Sequence, residues 1–283
     1  VLLGVLTSMV LNLLAYDKRD ARVIALVSVA AWLLHPLLVS TTLYVAQRMA
    51  QLAALFVFAG LVSYLYGRSL LARDKAKAYL VMSVSIGLFT PLALLSKENG
   101  ILLPMLVGVI ELTVIASQRR RLPALNRYWA LLFIVLPSVL VVLYMATNVI
   151  RSDFFGIVPP REFSVYERVL TQPRILADYL HHWFVPELYT SGVFQDHFVK
   201  STGILSPITT VLAMILHGAV IAVALIFRRR WTLFAFAVLF FYAGHLLEST
   251  VLYLELYFEH RNYLPAAFLF VPLVAALHRS VSR

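Results

Sequence analysis

No cysteine occurs in the 283 residues, which excludes disulfides and thiolate metal sites. Charge is scarce too: 13% of residues carry it, against about 25% in an ordinary soluble domain. So little polar side chain cannot cover a water-facing surface. The chain also lacks internal repeats, low-complexity tracts, any stretch of soluble-domain composition and any window laid out like a removable signal peptide. What it has instead is hydrophobic sequence. Hydrophobic residues make up 61%, and apolar runs of 16–23 residues recur from end to end. Runs of that length predict an all-α, polytopic membrane protein.

Nine spans are expected, at about 1–16, 22–39, 49–66, 78–96, 100–117, 128–147, 205–227, 231–248 and 263–279. The whole of 1–283 reads as a single transmembrane domain. The first residue is Val, inside the apolar run VLLGVLTSMVLNLLAY, so the sequence is expected to be a fragment whose beginning is missing.

The net charge of +10 could point to nucleic acid, but the distribution of the basic residues argues otherwise. They sit in short connections: DKRDAR (17–22), GRSLLARDKAK (67–77), QRRRLPALNR (118–127), RRR (228–230) and HRSVSR (278–283). This set holds 16 of the 24 Lys and Arg and 3 of the 14 acids, whereas the alternate connections hold 8 basic residues and 10 acids. Such asymmetry orients helices, with the basic set cytoplasmic and the other set periplasmic or lumenal. No nucleic-acid partner is expected; the lipid bilayer is.

Four polar clusters fall on the second side: HPLLVSTTLYVAQRM (35–49), LLSKENG (94–100), VFQDHF (193–198) and YFEHRNYLP (257–265). Ionisable residues at a membrane cost free energy and usually mark a reaction or a pathway. Lys97 and Glu98 join two spans almost without a loop. The lysine suits an anionic phosphate and the glutamate a proton; the plainer alternative is a snorkelling pair ending two helices. Pro36 should break its helix beside His35. Gln47 and Arg48 then enter the next span, and Arg48 presents a planar fork suited to phosphate, or serves as an interface arginine. Asp196 and His197 offer acid, base or metal chemistry, but a single Asp-His pair is weak evidence and a solvated loop turn is the favoured reading over a metal site. Glu259, His260, Arg261 and Tyr263 form the densest ionisable group; the alternative is an interface anchor. Glu111 lies about 16 Å deeper than the Lys97 turn and is expected to be neutral or paired across helices. His217 and His245 read as packed, hydrogen-bonded residues, and His181 and His182 as surface polarity. The long connection 148–204 carries apolar residues at Val165, Val169, Leu170, Ile175, Leu176, Tyr179, Leu180 and Phe184. That spacing predicts one or two amphipathic helices on the membrane surface, interrupted at Pro173.

The ordered series HP…YVAQRM…LSKENGILLPMLVGVIEL…FQDHF…EHRNYLP resembles bacterial relatives of the TPR-bearing transmembrane O-mannosyltransferases, GT-C glycosyltransferases that use polyprenyl-phosphate sugars. The resemblance covers almost the whole chain. It implies a GT-C-like fold and transfer of a sugar from an undecaprenyl- or polyprenyl-phosphate carrier to an acceptor protein or glycan, commonly a protein hydroxyl. The setting it implies is the periplasmic face of a bacterial inner membrane. Arg48, Lys97, Arg261 and Tyr263 become candidates for donor or lipid-phosphate binding, with His35, Gln47, His197 and His260 in support. Glu98, Glu259 and Asp196 are the candidate catalytic acids. The first span, its acidic first outer loop and the TPR repeats are not in the sequence, so the principal catalytic acid is expected outside it. No cofactor and no metal site is expected, although a need for a divalent metal stays open. An O-antigen ligase or polymerase, and a transporter or flippase, are the alternatives.

Overall fold

The computed structural model describes residues 1–118, 121–154, 163–185, 198–250, 252 and 254–281, with the backbone alone at 148–154. Helices dominate. In chain order they are α1 (Leu2–Leu13), α2 (Lys18–Leu33), α3 (Val39–Leu43), α4 (Arg48–Leu70), α5 (Lys75–Ser96), α6 (Leu103–Ile110), α7 (Arg127–Ala130), α8 (Leu136–Phe154), α9 (Val165–Phe184), α10 (Thr209–Ile226), α11 (Thr232–His245) and α12 (Val271–Val281). There is no named strand among the described residues.

Five helical stretches are long and apolar enough to cross a membrane: Val45–Leu70, Lys75–Ser96, Glu98–Ile115, Arg127–Thr147 and Thr209–Ile226. A sixth forms if Lys18–Leu33 and Pro36–Leu43, bent by 62°, count as one broken span. Leu2–Leu13, Thr232–His245 and Pro265–Val281 are apolar but shorter. The chain is a multi-pass membrane protein with five to six such helices among the described residues. Every expected apolar run is largely helical, although Leu2–Leu13 and Thr232–His245 stop short of the ends of their runs.

Local chemistry explains the boundaries. Pro36 cannot continue α2, since it lacks a backbone N–H and its ring clashes with the preceding turn; His35 Nδ1 instead accepts the Leu37 N–H at 3.3 Å. Two of the three acids on the basic connections are helix caps. Asp17 accepts from Arg19 N and Asp74 from Lys77 N, each at 3.0 Å, and both lie near helix N-termini, where negative charge is favoured. The α4–α5 hairpin packs through small residues: a Cβ on Gly67 would lie 2.8 Å from Met82 Cγ. Close backbone approach through such residues is how helices associate in lipid.

The five basic connections share one end of the bundle. Arg68 Nη2 donates to Pro123 O at 2.8 Å, Asn126 N donates to the Tyr79 hydroxyl at 2.8 Å, and His278 lies 3.1 Å from Asp20. Gln118, Arg229 and Arg279 line one cavity there. At the opposite end lie the turn after α5, the break after α2, helix α9 and the segment 248–263.

Candidate functional site

The opposite end is organised by α9 and the irregular stretch after α11. From Glu248 to Phe258 the described chain has little regular structure, so its carbonyls need partners from elsewhere. Helix α9 supplies them from one face, at helical spacing: Arg168, Gln172, Tyr179 and Trp183. The fully buried Arg168 donates to the carbonyls of Glu248 (2.6 Å), Thr250 (3.0 Å), Glu255 (3.0 Å) and Leu254. Gln172 donates to Leu256 O at 3.1 Å. The Tyr179 hydroxyl donates to Phe258 O at 2.8 Å and accepts from Phe258 N at 2.9 Å. Trp183 Nε1 donates to Asn262 Oδ1 at 3.1 Å. Burial pushes the Tyr179 hydroxyl up to about 12, against the opposing pull of the Arg261 charge, so it stays protonated as a donor.

This face differs from the expected apolar stripe. Val169 and Phe184 are exposed, while Arg168 and Gln172 are buried. The helix is rotated because it packs against unpaired backbone, which demands donors. It also runs unbroken through Pro173, capped by a reciprocal Ser164–Glu167 box. His217 holds it to the bundle, with Nε2 at 2.7 Å from Pro173 O and Nδ1 at 2.6 Å from the Tyr242 hydroxyl.

Lys97 is a single extended residue between α5 and the short turn of helix at Glu98–Leu102. Gly100 makes that turn possible, since a Cβ there would sit 2.2 Å from the Ala93 carbonyl carbon. Lys97 points into the bundle, where its Nζ lies 2.5 Å from Glu248 Oε1, both side chains at most 5% exposed. No second side-chain partner of either residue is present among the described residues, so the pair rests on this one contact. Arg261, also buried, donates to the carbonyls of Leu256 at 2.9 Å and Glu255 at 2.5 Å. His260 is half-buried nearby. Burial first, then the charges of Lys97 and Arg261, push its imidazole down to about 3, so it is neutral at pH 7. His245, Asn262 and Glu259 are buried in the same region.

Glu98 faces the other way. It lines a groove of about 430 Å³ whose other walls are mainly apolar, among them Leu94, Leu140, Tyr144, Leu247 and Leu252. Thr90, also on this wall, has a buried hydroxyl without a hydrogen-bond partner. Because Glu98 and Leu247 adjoin Lys97 and Glu248 in sequence, the groove runs beside the ion pair.

The structure therefore gathers Lys97, Arg261 and His260, with Glu98 on the adjoining groove and Glu259 buried close by. His35 is packed on Trp183, with ring centroids 4.2 Å apart, and so braces α9. Tyr263 packs on Trp32 at 4.8 Å, and its carbonyl accepts from Trp32 Nε1 at 3.2 Å. Gln47 is buried, whereas Arg48 is exposed and makes no ion pair or side-chain hydrogen bond among the described residues. Asp196 and His197 lie outside the described residues. Among those described, no group of three His, Asp or Glu side chains is assembled to hold a metal ion.

Two functional candidates escape a reading by clusters, Glu248 and Arg168. Glu248 closes an apolar run, HLLEST, and its position three residues after His245 is the one available signal. Arg168 sits on a stretch whose hydropathy pattern directs attention to another face. No protein family, no curated protein and no solved structure matches the chain.

Proposed function

We propose that the chain is a membrane glycosyltransferase that moves a sugar from a polyprenyl-phosphate carrier to an acceptor, commonly a protein hydroxyl, at the periplasmic face of a bacterial inner membrane, within a GT-C-like arrangement of nine helical spans. The observation that carries the reading is the buried Lys97–Glu248 ion pair, set beside Arg261 and His260 and next to an apolar groove with Glu98 in its wall. The groove accommodates a hydrocarbon chain. A phosphate entering beside it meets Lys97, a buried cation whose one described carboxylate partner is Glu248. Transfer needs cations to stabilise the leaving lipid phosphate and a carboxylate to take the acceptor's proton. Lys97 serves the first need. Glu98 is the best-placed carboxylate among the described residues. Arg261 holds the loop that carries His260 and Glu259, through the carbonyls of Glu255 and Leu256.

The test is transfer of sugar from a polyprenyl-phosphate donor by membranes carrying the full-length protein, read by mass spectrometry of periplasmic proteins and surface glycans. A Lys97→Met, Glu248→Gln double variant avoids stranding a buried charge. It should insert normally and lose transfer. Unchanged glycosylation with that variant would sink the site assignment.

A further inference from the structure

At the basic end of the bundle, three connections and the last helix converge on a cavity of about 370 Å³. Its polar lining includes Arg229, Arg230, Arg279, Gln118, Tyr16 and Trp231, with the hydroxyl residues Ser117 and Thr232, and no Asp or Glu lines it. Apolar side chains of α11 and α12 form the remaining wall. Arg229 and Arg230 are exposed, and the Arg279 guanidinium lies 4.7 Å above the Tyr16 ring centroid. Among the described residues none of the three arginines pairs with a carboxylate.

Orientation by the positive-inside effect needs only that basic residues lie on this side; it does not need them around one cavity. Three guanidinium forks facing a shared space match the oxygens of a phosphate. Trp231, half-exposed at the rim, is the residue type that settles at headgroup level. The mixed lining, polar on one side and apolar on the other, matches a molecule that is itself divided in this way. Basic pockets between spans take anionic headgroups for these reasons.

We propose that this cavity seats the phosphate of an anionic phospholipid, at the membrane face opposite the Lys97–Glu248 pair. The site is independent of the glycosyl-transfer reading. The experiment titrates the detergent-solubilised full chain with phosphatidylglycerol, phosphatidylcholine and inorganic phosphate, and reads retained ligand by native mass spectrometry. Phosphatidylglycerol should be retained and phosphatidylcholine not. A variant carrying Arg229→Gln, Arg230→Gln and Arg279→Gln should bind phosphatidylglycerol about a hundredfold more weakly, since each basic residue near the surface contributes roughly a fivefold preference. Lys18→Gln, Arg22→Gln and Lys75→Gln remove the same charge from the same face outside the cavity, and should leave binding within about twofold. Arg279→Lys keeps the charge without the fork and should weaken binding severalfold, which gives a reading even if the triple variant folds poorly. Equal losses from the two triple variants would overturn the proposal in favour of general surface attraction. Inorganic phosphate competing as well as phosphatidylglycerol would overturn the lipid occupant.

Discussion

Among the described residues an ion pair lies inside the bundle near each end, Arg68–Glu111 and the more deeply buried Lys97–Glu248, and the two are built differently. At the basic end, Arg68 Nε donates to Glu111 Oε1 at 2.8 Å, Tyr64 donates to the same oxygen at 2.8 Å, and Arg68 Nη2 is held by Pro123 O. At the other end Lys97 meets Glu248 by one ion contact, with both side chains buried. A pair fixed by several directed bonds joins helices and cannot change partner without leaving several buried polar atoms behind. A pair held by a single contact leaves one charge behind when it parts, the Glu248 carboxylate. The difference separates a pair fixed by several directed bonds from one held by a single charged contact.

The largest expected effect tests the frame around the Lys97–Glu248 pair. Arg168→Met strands the carbonyls of Glu248, Thr250 and Leu254, whereas that of Glu255 keeps Arg261. With each buried unsatisfied group costing about 1–3 kcal/mol, the loss should exceed about 3 kcal/mol. Protease cleavage within 248–262 should appear while the spans stay inserted; an unchanged digestion pattern would deny α9 its role as brace.

Next in size is the comparison itself. Lys97→Met or Arg68→Met alone leaves a buried carboxylate without its cation and should cost about 3–5 kcal/mol in either case. Adding Glu248→Gln to the first and Glu111→Gln to the second should restore much of the thermal stability in detergent. Only the second double variant should recover sugar transfer. Recovery of transfer in both would erase the distinction between the two ends.

Glu98→Gln should be smaller still in stability, within about 0.5 kcal/mol, because its carboxylate has no described ion-pair partner. Sugar transfer should nevertheless fall by about 10²–10⁴-fold if Glu98 takes the acceptor's proton. A normal rate would return that role to Glu259, Asp196 or an acid outside this sequence.

The smallest effect concerns pH. His260 is neutral when folded and is held well below its usual value. The unfolded chain therefore binds the extra proton, and stability is present above about pH 6.5 and drains away as pH falls towards about 3. His260→Gln should flatten that part of the pH–stability curve. An identical slope in the variant would mean that another group drives it.

Much of this was legible from residues alone. The helical runs, the break at Pro36 and the basic sidedness all follow from local physics, since they depend on neighbours within a turn or two. The inward Lys97 and the crowding of His260 with Arg261 were visible as clusters. The face of α9 was not, because its burial is set by carbonyls some 80 residues away. Nor was Glu111's partner Arg68, which reads as part of a basic connection but lies inside α4. Helix length misled in the opposite direction: hydropathy extended the span of α11 to Glu248, whereas the helix itself ends at His245.

The sequence by itself determined that the chain lives in a bilayer as a helical bundle, which end is basic, and where the costly charges collect, because solvent and backbone impose those terms residue by residue. Tertiary structure alone decided which charges meet. It paired Lys97 with Glu248 and Arg68 with Glu111, and turned Arg168 from a surface residue into the clasp of a loop, because a buried charge or carbonyl takes whatever partner the packing of distant segments brings within reach.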